Sequence, residues 1–255
     1  RTVLILGAGI SKPYGFPLAS ELLPLIGNLR GNDQFQAYAK THGGLDSADL
    51  DTFYDATQIP YHGTIDEYLR KNPRHIPVGL AAIAWIIMHH ERKLPPAAIV
   101  DSQSFYRTVF DLLKLDPEQG KPSHDISIIT LNYDRSLEYW LSRMIDLCVG
   151  EADKAGARAR LAEVRIHHLH NSLGTLAQLP YGTPPKDDVV RDVSTRLMTI
   201  HRCDKTFEAS YATARNMMQH AAMVFVLGCS YDPTIFRDLF PGLLDGGFCS
   251  RTGIS

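Results

Sequence analysis

The sequence predicts an α/β protein built on a doubly wound parallel sheet of Rossmann-like type, and three observations predict it. Four short apolar runs are separated by helical patterns. Each run ends in a cluster of glycine or polar residues, and the chain shows no internal repeat or low-complexity tract. Strands that alternate with helices pair in parallel, because each crossover helix carries the chain back over the sheet. Ligands of such sheets lie beyond the carboxyl ends of the strands, where the clusters fall.

The first run is TVLILGAG, followed by a helical pattern at Pro17 to Leu29 with Leu18, Leu22, Leu23, Leu25, Ile26 and Leu29 in register. Residues Arg30 to Gly63 are rich in Gly, Asp and Gln and read as an irregular or weakly helical insertion. Helical patterns return at Ile65 to Lys71, Ile76 to Lys93 and Ser104 to Lys114, so a helical lobe of about residues 30–120 is expected inside one domain spanning 1–255. Asp125 to Asn132 (DISIITLN) is the second strand, and an amphipathic helix follows from about Asp134 to Leu147. A charged helix beginning near Glu151 leads to the third strand, Val164 to His170. After a Pro-rich excursion at Pro180 to Pro185, a helix near Thr206 to His220 precedes the fourth strand, Ala222 to Gly228, and a last helix covers about Thr234 to Leu244.

Composition narrows the function classes. With 44% hydrophobic and 21% charged residues the chain has enough apolar material for a core and is neither disordered nor fibrous. A net charge of -2 without a Lys/Arg run argues against direct nucleic-acid binding. The most apolar stretch, Ile76 to Met88, has 13 residues, short of the roughly 20 that cross a bilayer. It reads as a helix buried in the lobe, with a subunit contact as its other use. Cys148, Cys203, Cys229 and Cys249 form no C-x-x-C pair and read as buried thiols in a reducing, cytoplasmic setting.

Four clusters carry chemistry. Gly7-Ala8-Gly9-Ile10-Ser11 sits between strand and helix, where glycines allow close approach to a pyrophosphate and free amides favour an anion. The dinucleotide fingerprint is incomplete, since Lys12 occupies the third glycine position, and Glu21 falls inside a helix, which excludes an ordinary dehydrogenase. In Thr130-Leu131-Asn132-Tyr133-Asp134, Asn132 suits a ribose hydroxyl or a water, because a carboxamide donates and accepts at once. Asp134 equally reads as a helix N-cap, and Tyr133 as a packed residue. In His167-His168-Leu169-His170, strand alternation sends His168 and His170 to one face, where either could act as a base or the two could share a metal. No further ligand group completes a metal site. Gly228-Cys229-Ser230 offers a close backbone approach and a hydroxyl.

In chain order these clusters resemble the sirtuin-like (silent-information-regulator-type) superfamily, in particular its bacterial NAD-cleaving branch in anti-phage defence systems. GAGIS with Gly15-Phe16-Pro17 looks like the G-A-G-x-S-x-x-x-G-x-P opening, TLNYD like T-x-N-x-D, HLHNSLG like H-G-[ST], and VLGCSYD like the late hydrophobic-G-x-S segment. Asn171 stands where the family has Gly, and the C-x-x-C zinc module of protein deacylases is absent. The resemblance implies Asn132 and His170 as catalytic residues, Gly7, Ala8, Gly9, Ser11, Asp134, Gly228 and Ser230 as NAD-binding residues, and no metal. It implies an NAD glycohydrolase releasing nicotinamide and ADP-ribose or a cyclic form. It also implies control through a homo-oligomer or a regulatory partner such as an ATPase, an Argonaute-like protein or a sensor domain, from which this chain would be a separated effector. The competing expectations are a nucleotide-binding regulatory or assembly module without turnover, and a metal hydrolase using His168 and His170.

Overall fold

Both faces of the first strand are apolar, and that decides where it sits. In the computed structural model, which describes residues 1–58, 63–93, 104–120, 125–199, 205–229 and 233–240, strand β1 (Thr2–Leu6) lies inside a four-stranded sheet with Val3, Leu4, Ile5 and Leu6 all buried. A strand covered on both faces is the signature of a parallel sheet with helices on each side. The other strands are β2 (Ile126–Thr130), β3 (Arg165–His168) and β4 (Met223–Leu227). The order is β3-β2-β1-β4 and every pairing is parallel, with Leu4 opposite Ile128 on one side and Phe225 on the other.

This order places a switch point at the centre of the sheet. The chain steps outward from β1 to β2 to β3, then returns to the far side of β1 for β4. The connections therefore diverge at the carboxyl ends of β1 and β4, the usual place for a ligand crevice in a doubly wound sheet.

The alternation of side chains along β1 divides the core. Leu4 and Leu6 face the helices between the first and third strands together with the first helix after the third, and Val3 and Ile5 face those flanking the fourth. The first layer begins with the one-turn α1 (Ala8–Ser11) and α2 (Ala19–Asn28), followed by α3 (Asp33–His42), α4 (Ser47–Gln58) and α5 (Ile65–Lys71). It continues with α6 (Ile76–Lys93), α7 (Phe105–Leu112), α8 (Ser136–Cys148), α9 (Lys154–Glu163) and α10 (Asp187–Ser194). The second layer holds α11 (Lys205–Gln219) and α12 (Pro233–Leu239).

Several expectations need correction. The stretch expected to be irregular or weakly helical holds two regular helices, α3 and α4, as a helical lobe requires, with Phe35, Tyr38 and Ala39, then Leu50, Phe53, Tyr54 and Thr57, on their buried faces; residues 59–62 lie outside the described residues. Those residues recur at helical spacing, and Asn32 caps α3 by accepting the Phe35 amide at 2.9 Å. The polar composition between them is simply the solvent face. A helix at α10 was not anticipated, because its valines are β-branched and follow the Pro-rich excursion. The second and third strands end at Thr130 and His168, two residues before the expected Asn132 and His170. Cys148 is exposed rather than buried, and Cys203 and Cys249 lie outside the described residues.

Helix α6 is buried on all sides from Val78 to Met88, so it forms the centre of the lobe and presents no face to a second subunit. Among the described residues no helix is long and apolar enough to cross a membrane. Strand β4 contrasts with β1: it is the outermost described strand on its side, and Met223, Phe225 and Val226 are exposed.

Candidate functional site

Backbone meets backbone where β1 and β4 end. The Gly7 amide donates to Leu227 O at 2.9 Å and the Gly9 amide to Gly228 O at 2.8 Å, while the Ile10 amide turns back to Gly7 O at 3.0 Å. A Cβ on Gly9 would lie 2.8 Å from Gly228 O, and one on Gly228 would lie 2.6 Å from Ile10 N. Gly228 also has φ +65°, a conformation that side chains disfavour. The glycines are therefore required to let the two strand ends touch. This differs from the expected ring of free amides: those of Gly7, Gly9 and Ile10 are taken by protein carbonyls. Gly228→Ala is expected to cost about 1–3 kcal/mol in chemical denaturation, since neither backbone can yield; an unchanged midpoint would mean the contact is loose.

Asn132 follows β2 and is anchored at several points. Its amide donates to Thr130 Oγ1 at 3.2 Å, and its carbonyl accepts from His168 Nδ1 at 2.9 Å. Its Nδ2 donates to Gly7 O at 3.1 Å and to Ser11 Oγ at 3.0 Å. Because the Gly7 carbonyl only accepts, these bonds fix which end of the carboxamide is nitrogen. The remaining atom, Oδ1, is buried without a hydrogen-bond partner among the described residues, on a residue only 8% exposed. A buried acceptor left unpaired costs about 1–3 kcal/mol, so it fits a donor brought by a ligand, a hydroxyl or an amide.

Ser11 and Asp134 lie beneath this carboxamide rather than on an open surface. Ser11 Oγ accepts from Asn132 and donates to Asp134 Oδ1 at 3.2 Å, with Tyr106 and Ser136 hydroxyls beside it. Asp134 Oδ1 also accepts the Ser136 amide at 3.0 Å and the Ser136 hydroxyl, so the carboxylate takes up the first amide of α8. Burial raises the Asp134 pKa, and the donors from Ser136 and Ser11 oppose that rise. Tyr133 is packed, its hydroxyl donating to Met198 O at 2.8 Å.

The histidines diverge. His167 Nε2 reaches Ser210 O on α11 at 3.0 Å, and His168 turns to α8, where Nε2 meets Glu138 Oε1 at 2.6 Å. Since β3 ends at His168, strand alternation no longer governs His170. That residue is 2% exposed, with Nδ1 3.3 Å from Leu131 O and Nε2 3.3 Å from the Tyr211 hydroxyl of α11. His168 and His170 therefore do not share a face, which corrects the expected pairing. Among the described residues no group of three or more metal-ligating side chains comes together.

Asn171 shows why a non-glycine residue is accepted after His170. It takes φ +59°, the left-handed conformation, and its Nδ2 donates to Arg196 O at 2.8 Å. Asparagine tolerates that region better than other side chains. In thermal melts Asn171→Gly should change stability by less than about 1 kcal/mol, whereas Asn171→Val should lower it by about 1–2 kcal/mol or more.

Both ring nitrogens of His168 face acceptors, the Asn132 carbonyl and the Glu138 carboxylate, so both donate and the ring is an imidazolium. Burial opposes charge on each partner, yet their mutual attraction wins: the imidazole titrates above its ordinary value of 6.5 and the carboxyl below its ordinary 4.5. The raised histidine stabilises fully below pH 6.5 and loses this as pH rises through its folded value. The lowered carboxylate stabilises fully above pH 4.5 and loses this as pH falls through its folded value. The melting-temperature gap between the protein and Glu138→Gln should therefore be widest between pH 4.5 and 6.5. A gap that is flat with pH would refute the charged pair.

One feature of the site had no sequence signal. Arg135, at the start of α8, is 1% exposed in its side chain and forms a two-point ion pair with equally buried Glu91 of α6, at 2.6 and 3.1 Å. Its Nη1 also donates to the carbonyls of Gly174, Thr175 and Leu179 at 3.3, 3.4 and 2.6 Å. Glu91 accepts the Gly182 amide at 3.3 Å, so the pair binds both ends of the segment after His170. An acid beside His89, His90, Arg92 and Lys93 reads in sequence as part of a solvated helix end.

Ser230 lies outside the described residues, whereas Gly7, Ala8, Gly9, Ser11, Asn132, Asp134 and Gly228 gather at the carboxyl edge of β1, β2 and β4. A cavity of about 400 Å³ opens at the opposite end of the sheet, beside Arg1, Ile126, Arg165 and His220. The carboxyl edge is the better candidate, because the buried unpaired acceptor is there and because Arg160 at the other cavity is already bonded to the carbonyls of Lys114, Asp116 and Gly120. No protein-family model, curated protein or solved structure matches this chain.

Proposed function

We propose that the protein is a sirtuin-like NAD glycohydrolase, cleaving the bond between nicotinamide and ribose to give nicotinamide and ADP-ribose or its cyclic form. The observation that carries this reading is Asn132: a carboxamide locked at the switch point with its oxygen buried and, among the described residues, unpaired. A ribose hydroxyl or a water is the donor that this oxygen suits. The scissile bond has a cationic leaving group, so little acid catalysis is needed, and positioning supplies most of the acceleration. Water adds to the ribose carbon as nicotinamide departs, and the proton released from that water is taken by His170. Nδ1 of His170 faces a carbonyl and carries its proton, so Nε2 is the basic atom and Tyr211 must release it first. The Gly7-Ala8-Gly9 turn and Gly228 border the dinucleotide, with Ala8 and Gly9 partly exposed. Control of such an activity belongs to a regulatory partner or a homo-oligomer, in the setting of anti-phage defence.

A second reading, a nucleotide-binding module without turnover, is favoured by the burial of His170 and the engagement of both its ring nitrogens. One experiment separates the two. Purified protein is incubated with NAD and released nicotinamide is followed by chromatography, with Asn132 and His170 variants alongside and calorimetry with NAD and ADP-ribose in parallel. Release that depends on both residues supports the hydrolase. Binding without product over hours supports the module, and neither binding nor product rejects both.

A further inference from the structure

We infer that His168 and Glu138 are positioning residues for Asn132, a pair from two different elements that holds the main chain after β2 so that the carboxamide oxygen stays turned toward the ligand. The inference rests on the reading that Asn132 is the group acting on that ligand. Three elements meet here. His168 is the last residue of β3, opposite Thr130 of β2, and so stands beside the chain as it leaves the sheet. Its Nδ1 donates to the Asn132 carbonyl at 2.9 Å, and its Nε2 donates to Glu138 at 2.6 Å. Glu138 lies in the first turn of α8, where the helix dipole favours an anion.

The carboxamide and the carbonyl of Asn132 are therefore held by different parts of the protein. Gly7 O and Ser11 Oγ fix the side chain from the turn after β1 and from α1, and His168 fixes the main chain from β3. Remove the second anchor and the residue can pivot about the first, which would carry Oδ1 away from its line. A partly buried ion pair is a poor source of stability compared with apolar packing, because both charges lose water. Its geometry is what apolar packing lacks: a charged donor aimed along one direction at one carbonyl. Glu138 keeps its other oxygen, Oε2, buried without a partner, so the carboxylate is held for His168 alone among the described side chains.

The test uses protein labelled with ¹⁵N in Asn and His, with Asn132→Ala identifying the Asn132 side-chain amide. Glu138→Ala should shift that resonance, and Glu138→Gln, which keeps an oxygen or an amide beside the ring, should restore most of it. If the alanine variant does not fold, the double variant Glu138→Gln/His168→Phe, which leaves no unpaired charge, takes its place. In NAD turnover Glu138→Ala should lose about 10- to 100-fold in kcat with KM nearly unchanged, the scale of a misplaced catalytic group, with partial rescue in Glu138→Gln. An Asn132 resonance and a kcat that stay put while only the melting temperature falls would show a structural role and overturn the inference. Should the parent protein release no nicotinamide, the NAD reading fails, and the resonance by itself then decides: moved by Glu138→Ala and restored by Glu138→Gln, or the inference is wrong.

Discussion

Arg135→Ala is expected to destabilise the protein by about 3–5 kcal/mol, the scale for removing one partner of a buried ion pair. Arg135 and Glu91 are each 1% exposed in their side chains, so the carboxylate left behind loses its paired counter-charge at a position shielded from solvent. Burial already holds the Glu91 carboxyl above its ordinary value, with Arg135 pulling it back. In the variant that pull is gone, and Glu91 will take up a proton on folding rather than remain an isolated anion. Three carbonyl bonds to the segment after His170 are lost as well. For a chain of this size the shift in melting temperature is on the order of 10 °C. Calorimetry or urea titration measures it, with Glu91→Gln/Arg135→Met as the control. The double variant leaves no uncompensated charge and should recover much of the loss. A drop under about 1 kcal/mol for Arg135→Ala, the value typical of exposed pairs, would mean that the pair is hydrated in solution.

The second large effect is on turnover. Asn132→Ala should reduce nicotinamide release by about 100-fold or more, the usual scale for losing the group that positions a reactant. Stability should change far less, because two contributions oppose each other. The variant loses donation to Gly7 O and Ser11 Oγ, and it also removes the unpaired Oδ1 from the interior. Equal melting temperatures with a large difference in rate would locate the effect in chemistry rather than folding. Rates matched between the variant and the parent would remove Asn132 from the mechanism and with it the observation on which the proposed function stands.

The clusters at strand ends were legible because a parallel sheet imposes a simple pattern. VLIL is apolar on both faces and DISIIT is rich in β-branched residues, and GAG, TLNYD and VLG fall where such strands end. The incomplete fingerprint was legible too: Glu21 lies in α2 and pairs with Lys12, far from the role of a ribose-binding acid. The histidine cluster is not resolved by spacing, since nothing in VRIHHLH marks the residue at which pairing with β2 stops. His168 is the last paired residue, and the next turn of chain is set by Met198, whose amide bonds to His170 O, not by the strand.

The polar face of a helix hid α3 and α4, because a residue that meets solvent says nothing about its own backbone. Only Phe35, Tyr38, Leu50, Phe53 and Tyr54 carried the signal, and a polar average diluted it.

The amino-acid sequence by itself determined the alternation of strand and helix, the parallel sheet and the edge at which the strand-end clusters gather, since these follow from local periodicity and from where glycine interrupts it. Tertiary structure alone decided that the glycine amides bond to β4, that Ser11 and Asp134 lie beneath Asn132, that His168 answers to Glu138, and that Arg135 is buried against Glu91. Each of these joins residues from different elements, 30 or more positions apart in every side-chain case. A hydrogen bond or an ion pair has a direction as well as a partner, and spacing along a chain encodes neither.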